Sequence, residues 1–374
     1  MKNNNHTKNN NNTEPGPVVP VFAVLVAFAL LAAPVSGQGV PPAWLKDVQV
    51  PPAETGTVTM LGEFSTTAEW EKHRAKWWAG WIKYLGPMVS VREKDKKYEP
   101  PVFEVLEEVK LDGIVRKKIL YTTEPGQKVR AYLMLPEKIE SPRPAVVVFH
   151  GTNQYSYHQT AGVFDTGVRA TGYHLARKGY VAICPQNSIW PCSDEIQTKY
   201  REVTQEFRKR NPNNWGMARM ILDAQIAVDI LVSLKEVDPQ RIGCTGHSLG
   251  GKQALYLPAF DERVYCTVSS EGGIGIEQSN WEADWYLGPP SKAEGFPLSH
   301  REILAMIAPR PFLLIGGDAS DGDASWPYIA AALPIYRLYG EPPRLGLFNH
   351  KKGHAMPPEA EKTTYEWLDA FLVP

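Results

Sequence analysis

Ser248 stands in the run Gly246-His247-Ser248-Leu249-Gly250-Gly251, a G-x-S-x-G pattern. The stretch before it, Arg241-Ile242-Gly243-Cys244-Thr245, reads as a strand. The stretch after it, Lys252-Gln253-Ala254-Leu255-Tyr256-Leu257, reads as a helix. A serine on such a turn is lifted above the sheet, and the first helix amides point at negative charge that develops beside it. Gly246 and Gly250 occupy positions where side chains would collide. The chemistry is that of a nucleophilic hydroxyl, which needs a base to take its proton and an acid to hold that base.

With a strand-turn-helix serine, the partners follow in the chain order Ser, acid, His, each just beyond a strand. His354 fits the base. It lies in Gly353-His354-Ala355-Met356-Pro357-Pro358-Glu359, on a loop before the final helix. His350 sits at the strand end itself and suits a structural role or a substrate contact. The acid has four candidates: Asp318, Asp321 and Asp323 after the strand ending at Ile315, and Glu271 after the strand before it. An oxyanion hole takes one amide from Leu249, the residue after the nucleophile. The second is expected from Thr152, in the loop His150-Gly151-Thr152-Asn153. His150 precedes the nucleophile in the chain and is read as shaping that loop.

The elements that must position these groups alternate from Val146 onward. Strand-like runs at 145–149, 180–183, 241–245, 264–268, 311–315 and 344–348 are separated by helical patterns at 172–178, 215–236, 326–339 and 359–371. This order predicts a doubly wound, mostly parallel sheet. Three earlier runs, 102–109, 114–121 and 129–135, predict antiparallel strands, with Asp112-Gly113 as a hairpin turn. The polar stretch 187–214 reads as a surface excursion. The segment 272–299, rich in Gly, Pro and Trp, reads as a long binding loop or lid, and its Trp281 and Trp285 are candidate substrate contacts. Trp70, Trp77, Trp78, Trp81 and Tyr84 recur at helical spacing. They predict a helix that docks an aromatic face, in preference to a sugar-stacking platform.

The N-terminus carries Lys2 and Lys8, an apolar run from Val18 to Ala33, and small residues at Val35-Ser36-Gly37. That order predicts a signal peptide over 1–37 and an exported chain beginning near Gln38. Residues 38–100 are read as an extension packed on the main domain, which spans 101–374. The formal net charge of -1, with no basic stripe, argues against a nucleic-acid partner. No later segment is apolar enough to span a membrane. Cys184, Cys192, Cys244 and Cys266 lack metal-ligand spacing, so no metal or cofactor is expected. Cys184 and Cys192 bracket a loop that an oxidising compartment would allow to be bridged, and the unbridged state is the preferred reading.

Asp238-Pro239-Gln240-Arg241-Ile242-Gly243, running into the Ser248 motif, resembles the α/β-hydrolase superfamily. More narrowly, it resembles the dienelactone hydrolase, acetyl xylan esterase and prolyl oligopeptidase branch. Ala308-Pro309-Arg310-Pro311, Gly353-His354 before Pro357-Pro358-Glu359, and Glu271-Gly272-Gly273-Ile274-Gly275 resemble acetyl xylan esterase-like members. The resemblance covers residues 100 to 374. It implies the α/β-hydrolase fold and an ester hydrolase acting through Ser248, with a small-molecule or polysaccharide ester as substrate. Dienelactone hydrolases proper use a cysteine, so Ser248 points away from that activity. Relatives commonly place the acid in Asp-x-x-x-Pro, which favours Asp323, four residues before Pro327, with Asp321 second. Two other readings are a prolyl oligopeptidase-type peptidase, for which a large gating domain has no room before residue 100, and a non-catalytic binding protein.

Overall fold

The computed structural model describes residues 39–99, 101–190 and 196–373. The expected signal peptide and Cys192 therefore lie outside the described residues. Cys184 is buried and free.

In chain order the main elements begin with helix α1 (Thr67–Leu85) and strands β1 (Phe103–Leu111), β2 (Ile114–Glu124), β3 (Gln127–Pro136) and β4 (Arg143–Phe149). Helices α2 (Tyr157–Thr160) and α3 (Thr171–Arg177) precede β5 (Val181–Pro185). Then come α4 (Ile196–Arg210), α5 (Gly216–Ser233), β6 (Val237–His247), α6 (Leu249–Phe260) and β7 (Val264–Ser270). Last are α7 (His300–Ile307), β8 (Phe312–Gly316), α8 (Trp326–Arg337), β9 (Leu345–Asn349) and α9 (Pro358–Leu372). The strands form one sheet in the order β1-β2-β3-β5-β4-β6-β7-β8-β9. The pairs from β1 to β5 are antiparallel, and all pairs from β5 through β4 to β9 are parallel. At the β1–β2 hairpin Asp112 and Gly113 both have positive φ, 48° and 79°, the backbone that this two-residue turn demands.

The parallel strands are apolar throughout because both faces are covered. In β8, Phe312 and Leu314 join the core beneath α6, α7 and α8, while Leu313 and Ile315 join the core beneath α3 and α9. β4 sits between β5 and β6, where the chain reverses its direction of travel across the sheet, and ligand crevices form at such a point beyond the carboxyl ends of the strands. Five adjacent strands, β4, β6, β7, β8 and β9, thus end side by side at one edge.

Helix α1 opens with a capping box, in which the Glu69 amide donates to Thr66 Oγ1 at 3.2 Å and the Thr66 amide donates back to Glu69 Oε2 at 3.3 Å. Its aromatic face docks as the periodicity suggests. Trp70 and Trp81 are fully buried, Trp81 stacks on His300 with ring centroids 5.8 Å apart, and Trp78 Nε1 donates to the Ala259 carbonyl at 2.6 Å. Three helices went unread in the sequence, the first of them the four-residue α2. Helix α4 lies in the stretch taken for a surface excursion. Helix α7 begins at a capping box, Ser299-His300-Arg301-Glu302, whose S-x-x-E spacing was the available signal. Among the described residues no helix is long and apolar enough to cross a membrane.

Removal of the Trp81 ring leaves a cavity between α1, α6 and α7. Trp81→Ala is expected to cost ~3–5 kcal/mol, read as a lower denaturation midpoint with Ser248 chemistry retained in the folded fraction.

Candidate active site

Ser248 links β6 to α6 with φ 59° and ψ -117°, a conformation that non-glycine residues rarely adopt. Close packing holds it there. A Cβ on Gly246 would lie 2.5 Å from Gly250 backbone, and one on Gly250 would lie 2.4 Å from the Phe149 carbonyl oxygen of β4. The Ser248 amide donates to the Ser270 carbonyl at 2.8 Å, which ties the turn to the end of β7.

Glu271 follows directly on β7. Its φ of 50° turns the side chain inward, and the carboxylate is fully buried. Oε1 accepts from the Gly317 amide, and Oε2 accepts from the Ser320 amide at 2.8 Å. His354 Nδ1 lies 3.0 Å from the same Oε2. A carboxylate there requires the proton on Nδ1, so His354 Nε2 is left as the basic nitrogen. The His354 side chain is 42% exposed, against 0% for Glu271. Among the described residues the Ser248 hydroxyl has no hydrogen bond to His354, a looseness that unliganded sites often show.

The aspartates favoured as acid stand elsewhere. Asp323 accepts from Asn349 Nδ2 at 2.8 Å and pairs with Lys351 Nζ at 3.1 Å. The Asn349 hydrogen bond, with the lysine, lowers its pKa. Asp321 is buried and accepts from the Gly273 and Ile274 amides, both at 2.7 Å, so it pins the segment after Glu271; burial raises its pKa. Asp318 accepts from Asn349 Nδ2 at 2.7 Å and from the Asp323 amide at 3.1 Å, bracing the loop. The geometry thus brings Glu271, and neither Asp323 nor Asp321, against His354. The carboxylate that faces His354 projects from the end of β7 rather than from β8, and the β8 loop supplies amides to it.

His350 is buried, and its Nδ1 accepts from the Lys352 amide at 3.1 Å, with Gly317 packed against the ring. Burial lowers its pKa. The His247 ring lies tilted against His354 with centroids 4.8 Å apart, and its pKa falls to about 3, chiefly through burial and then through the Arg169 charge. His150 is also held neutral by burial, at about 4. Its Nε2 accepts from the Asn187 amide at 2.9 Å, so Nδ1 carries the proton and donates to the Gly151 carbonyl at 2.8 Å. Asn153 Nδ2 donates to the same carbonyl at 3.1 Å. These two bonds fix one side of the planar Gly151–Thr152 peptide, so the Thr152 N–H points the opposite way. Leu249 opens α6, where first-turn amides have no partner within the helix.

Trp281 is fully buried, its Nε1 donating to the Gly273 carbonyl at 2.7 Å, which removes it from the candidate substrate contacts. Trp285 is partly buried and packs edge-on against Tyr200 at 4.9 Å. Trp281 instead floors a buried lysine. Lys252 Nζ lies 3.8 Å from its ring centroid and donates to Ser279 Oγ at 2.7 Å. No local signal marks Lys252 for burial, because the 272–299 segment that covers it is brought there by tertiary packing.

An acetyl xylan esterase (AXE1) family model matches residues 90–271, a span that carries Ser248 and ends at Glu271. The chain is 30% identical over 208 residues to the putative hydrolase YtaP of Bacillus subtilis, covering 51% of this chain and 65% of that one. It is 28% identical over 138 residues to 4-O-methyl-glucuronoyl methylesterase 1 of Sodiomyces alcalophilus, covering 30% of this chain and 26% of that protein. The matches thus span less than two thirds of these relatives. A glucuronoyl esterase from Solibacter usitatus superposes with a TM-score of 0.62 over 86% of this chain and 99% of that one, at 17% identity. The putative acetyl xylan esterase BF1801 from Bacteroides fragilis gives 0.57 over 85% and 92%, at 14% identity. The chain shares the α/β-hydrolase fold of these esterases. In this fold the Ser248 turn, His354 and the β4 loop stand at the same sheet edge, an arrangement suited to forming and breaking an acyl-serine bond.

If Glu271 holds His354, Glu271→Gln is expected to lower turnover ~10³–10⁴-fold in a folded protein, while Asp323→Asn changes it less than about tenfold. Turnover of a p-nitrophenyl ester measures both, and the opposite ranking would restore Asp323. Burial lowers the Lys252 ammonium from 10.5 to about 7. The unfolded chain therefore binds the extra proton between those pH values. The cost of the buried charge is complete below about pH 7 and disappears as pH rises towards 10.5. Lys252→Met is expected to raise Tm most below pH 7, with the gain shrinking at alkaline pH.

Proposed function

We propose that this protein is an exported serine carboxylesterase that acts on carbohydrate esters, with Ser248 as nucleophile, His354 as base and Glu271 as acid. The pairing of the buried Glu271 carboxylate with His354 Nδ1, beside the strained Ser248 turn, carries this reading. His354 Nε2 takes the Ser248 proton as Oγ attacks the ester carbonyl. The Glu271 carboxylate stabilises the imidazolium that forms and stays ionised throughout. The Leu249 and Thr152 amides receive the oxyanion. Collapse of the tetrahedral adduct passes the proton from Nε2 to the leaving alcohol and leaves an acyl-serine. Water then gives its proton to Nε2, attacks the acyl carbon and releases the acid, and Ser248 recovers its proton.

Carbohydrate as the alcohol or acyl partner is supported by the AXE1 match and by the names of the esterase relatives. Export is supported by the order of charged, apolar and small residues over 1–37. The peptidase alternative has a weaker footing, a 21% identical dipeptidyl-peptidase 5 from Porphyromonas endodontalis of which 38% is covered.

Ser248→Ala is expected to fold and to lose at least ~10³-fold in kcat on short acyl p-nitrophenyl esters. Retention of more than about a tenth of wild-type activity would remove Ser248 from the chemistry, and faster turnover of prolyl amides than of esters would favour the peptidase. His354→Ala is expected to fold and to lose turnover to a similar degree. N-terminal sequencing of exported protein should find a start near Gln38, and an intact Met1 would indicate an anchor.

A further inference from the structure

Beside the nucleophile turn lies a small cavity of about 30 Å³, lined by Gly151, Gln159, Arg169, His247 and Met356 among others. Two of these belong to the site's own machinery. Gly151 is the glycine of the β4 loop, where an added Cβ would lie 3.7 Å from Ser248 Cβ, and His247 is the residue before the nucleophile.

Arg169 is the unexplained member. It is half-buried, and among the described residues it has neither a hydrogen bond nor an ion pair. The other inward arginines are all matched. Arg219 pairs with Glu124 and Asp223, Arg263 pairs with Asp229 and Asp261, and Arg310 donates to three carbonyls. A guanidinium drawn out of water without a partner is costly, and its planar fork matches the oxygens of a carboxylate or a phosphate, of which the carboxylate is the smaller and suits this cavity. No carboxylate lines the cavity. His247 is held neutral there, so Arg169 is its only positive charge. The volume exceeds the ~10–15 Å³ that one water needs, which admits a small polar group and leaves the body of a ligand outside. The same segment turns two rings to solvent, Phe164 at 61% and Tyr155 at 40%, with centroids 5.2 Å apart.

We infer that Arg169 is a specificity residue that binds a carboxylate carried by the substrate in addition to the ester that is cleaved, so that the preferred substrate is an ester of an acidic sugar. This rests on the ester-hydrolase reading of Ser248 and deepens it. The carboxylate enters the cavity beside Gly151 and His247, which seats the neighbouring ester carbonyl over the nucleophile turn.

The test uses p-nitrophenyl acetate as reporter and two competing ligands that differ only at C6, methyl glucuronoside and methyl glucoside. The glucuronoside is expected to inhibit wild-type enzyme at least ~10-fold more tightly, the worth of one charge-assisted contact. Arg169→Gln should bring the two inhibition constants together, and Arg169→Lys should keep part of the difference. The preference should also narrow with added salt. Equal inhibition of wild-type enzyme by the two ligands, or a preference that survives in Arg169→Gln, overturns the assignment while leaving the ester-hydrolase reading intact. Wild-type enzyme that turns over no p-nitrophenyl ester overturns both.

Discussion

The crowding of backbone at the Ser248 turn is the constraint on which the site depends. Three segments meet there with no room for side chains. Gly250 touches the end of β4, Gly246 touches Gly250, and an added Cβ on Gly251 would lie 2.5 Å from the Ser270 carbonyl oxygen and 3.0 Å from the Gly272 amide. The first contact sets the distance from the nucleophile to the β4 loop. The last sets the distance from α6 to the residue after β7, which is Glu271. Ser248, the β4 loop and Glu271 are thereby positioned by one packed knot of main chain, which transmits error far less readily than three independent loops would.

The β8 loop completes this arrangement without contributing the carboxylate. Gly317 and Ser320 give their amides to Glu271, while Asp321 sends its own carboxylate back to the amides of Gly273 and Ile274. The two loops are laced in both directions. A carboxylate that accepts several main-chain amides is fixed in position before any substrate arrives, and the histidine it faces inherits that fixed geometry.

Most of the fold was legible because its signals are local. Continuous apolar runs marked the strands buried on both faces, Asp112-Gly113 marked the hairpin, and helical spacing of tryptophans marked the docking face of α1. The serine and the histidine were legible for the same reason, since each sits in a short motif with its own turn chemistry. The acid was not. Glu271, Asp318, Asp321 and Asp323 all lie just past strands of the right register, and sequence distance carries no record of which carboxylate turns inward. The deciding facts are a left-handed φ at Glu271 and the amide contacts across the loops. Both arise from tertiary packing. Trp281 failed in a related way: an aromatic in a Gly- and Pro-rich loop looks exposed, yet the loop folds inward over Lys252 and buries it.

His354 differs from the rest of the site in standing open to solvent while its acid is sealed. On the proposed mechanism, the exposed His354 ring leaves the base open to the medium while the acyl-serine is present. The second half-reaction then has no built-in choice of acceptor beyond what reaches Nε2. Water prevails through its concentration. A small alcohol or a sugar hydroxyl supplied in quantity would enter the same competition, and acyl groups would pass from one alcohol to another as well as to water.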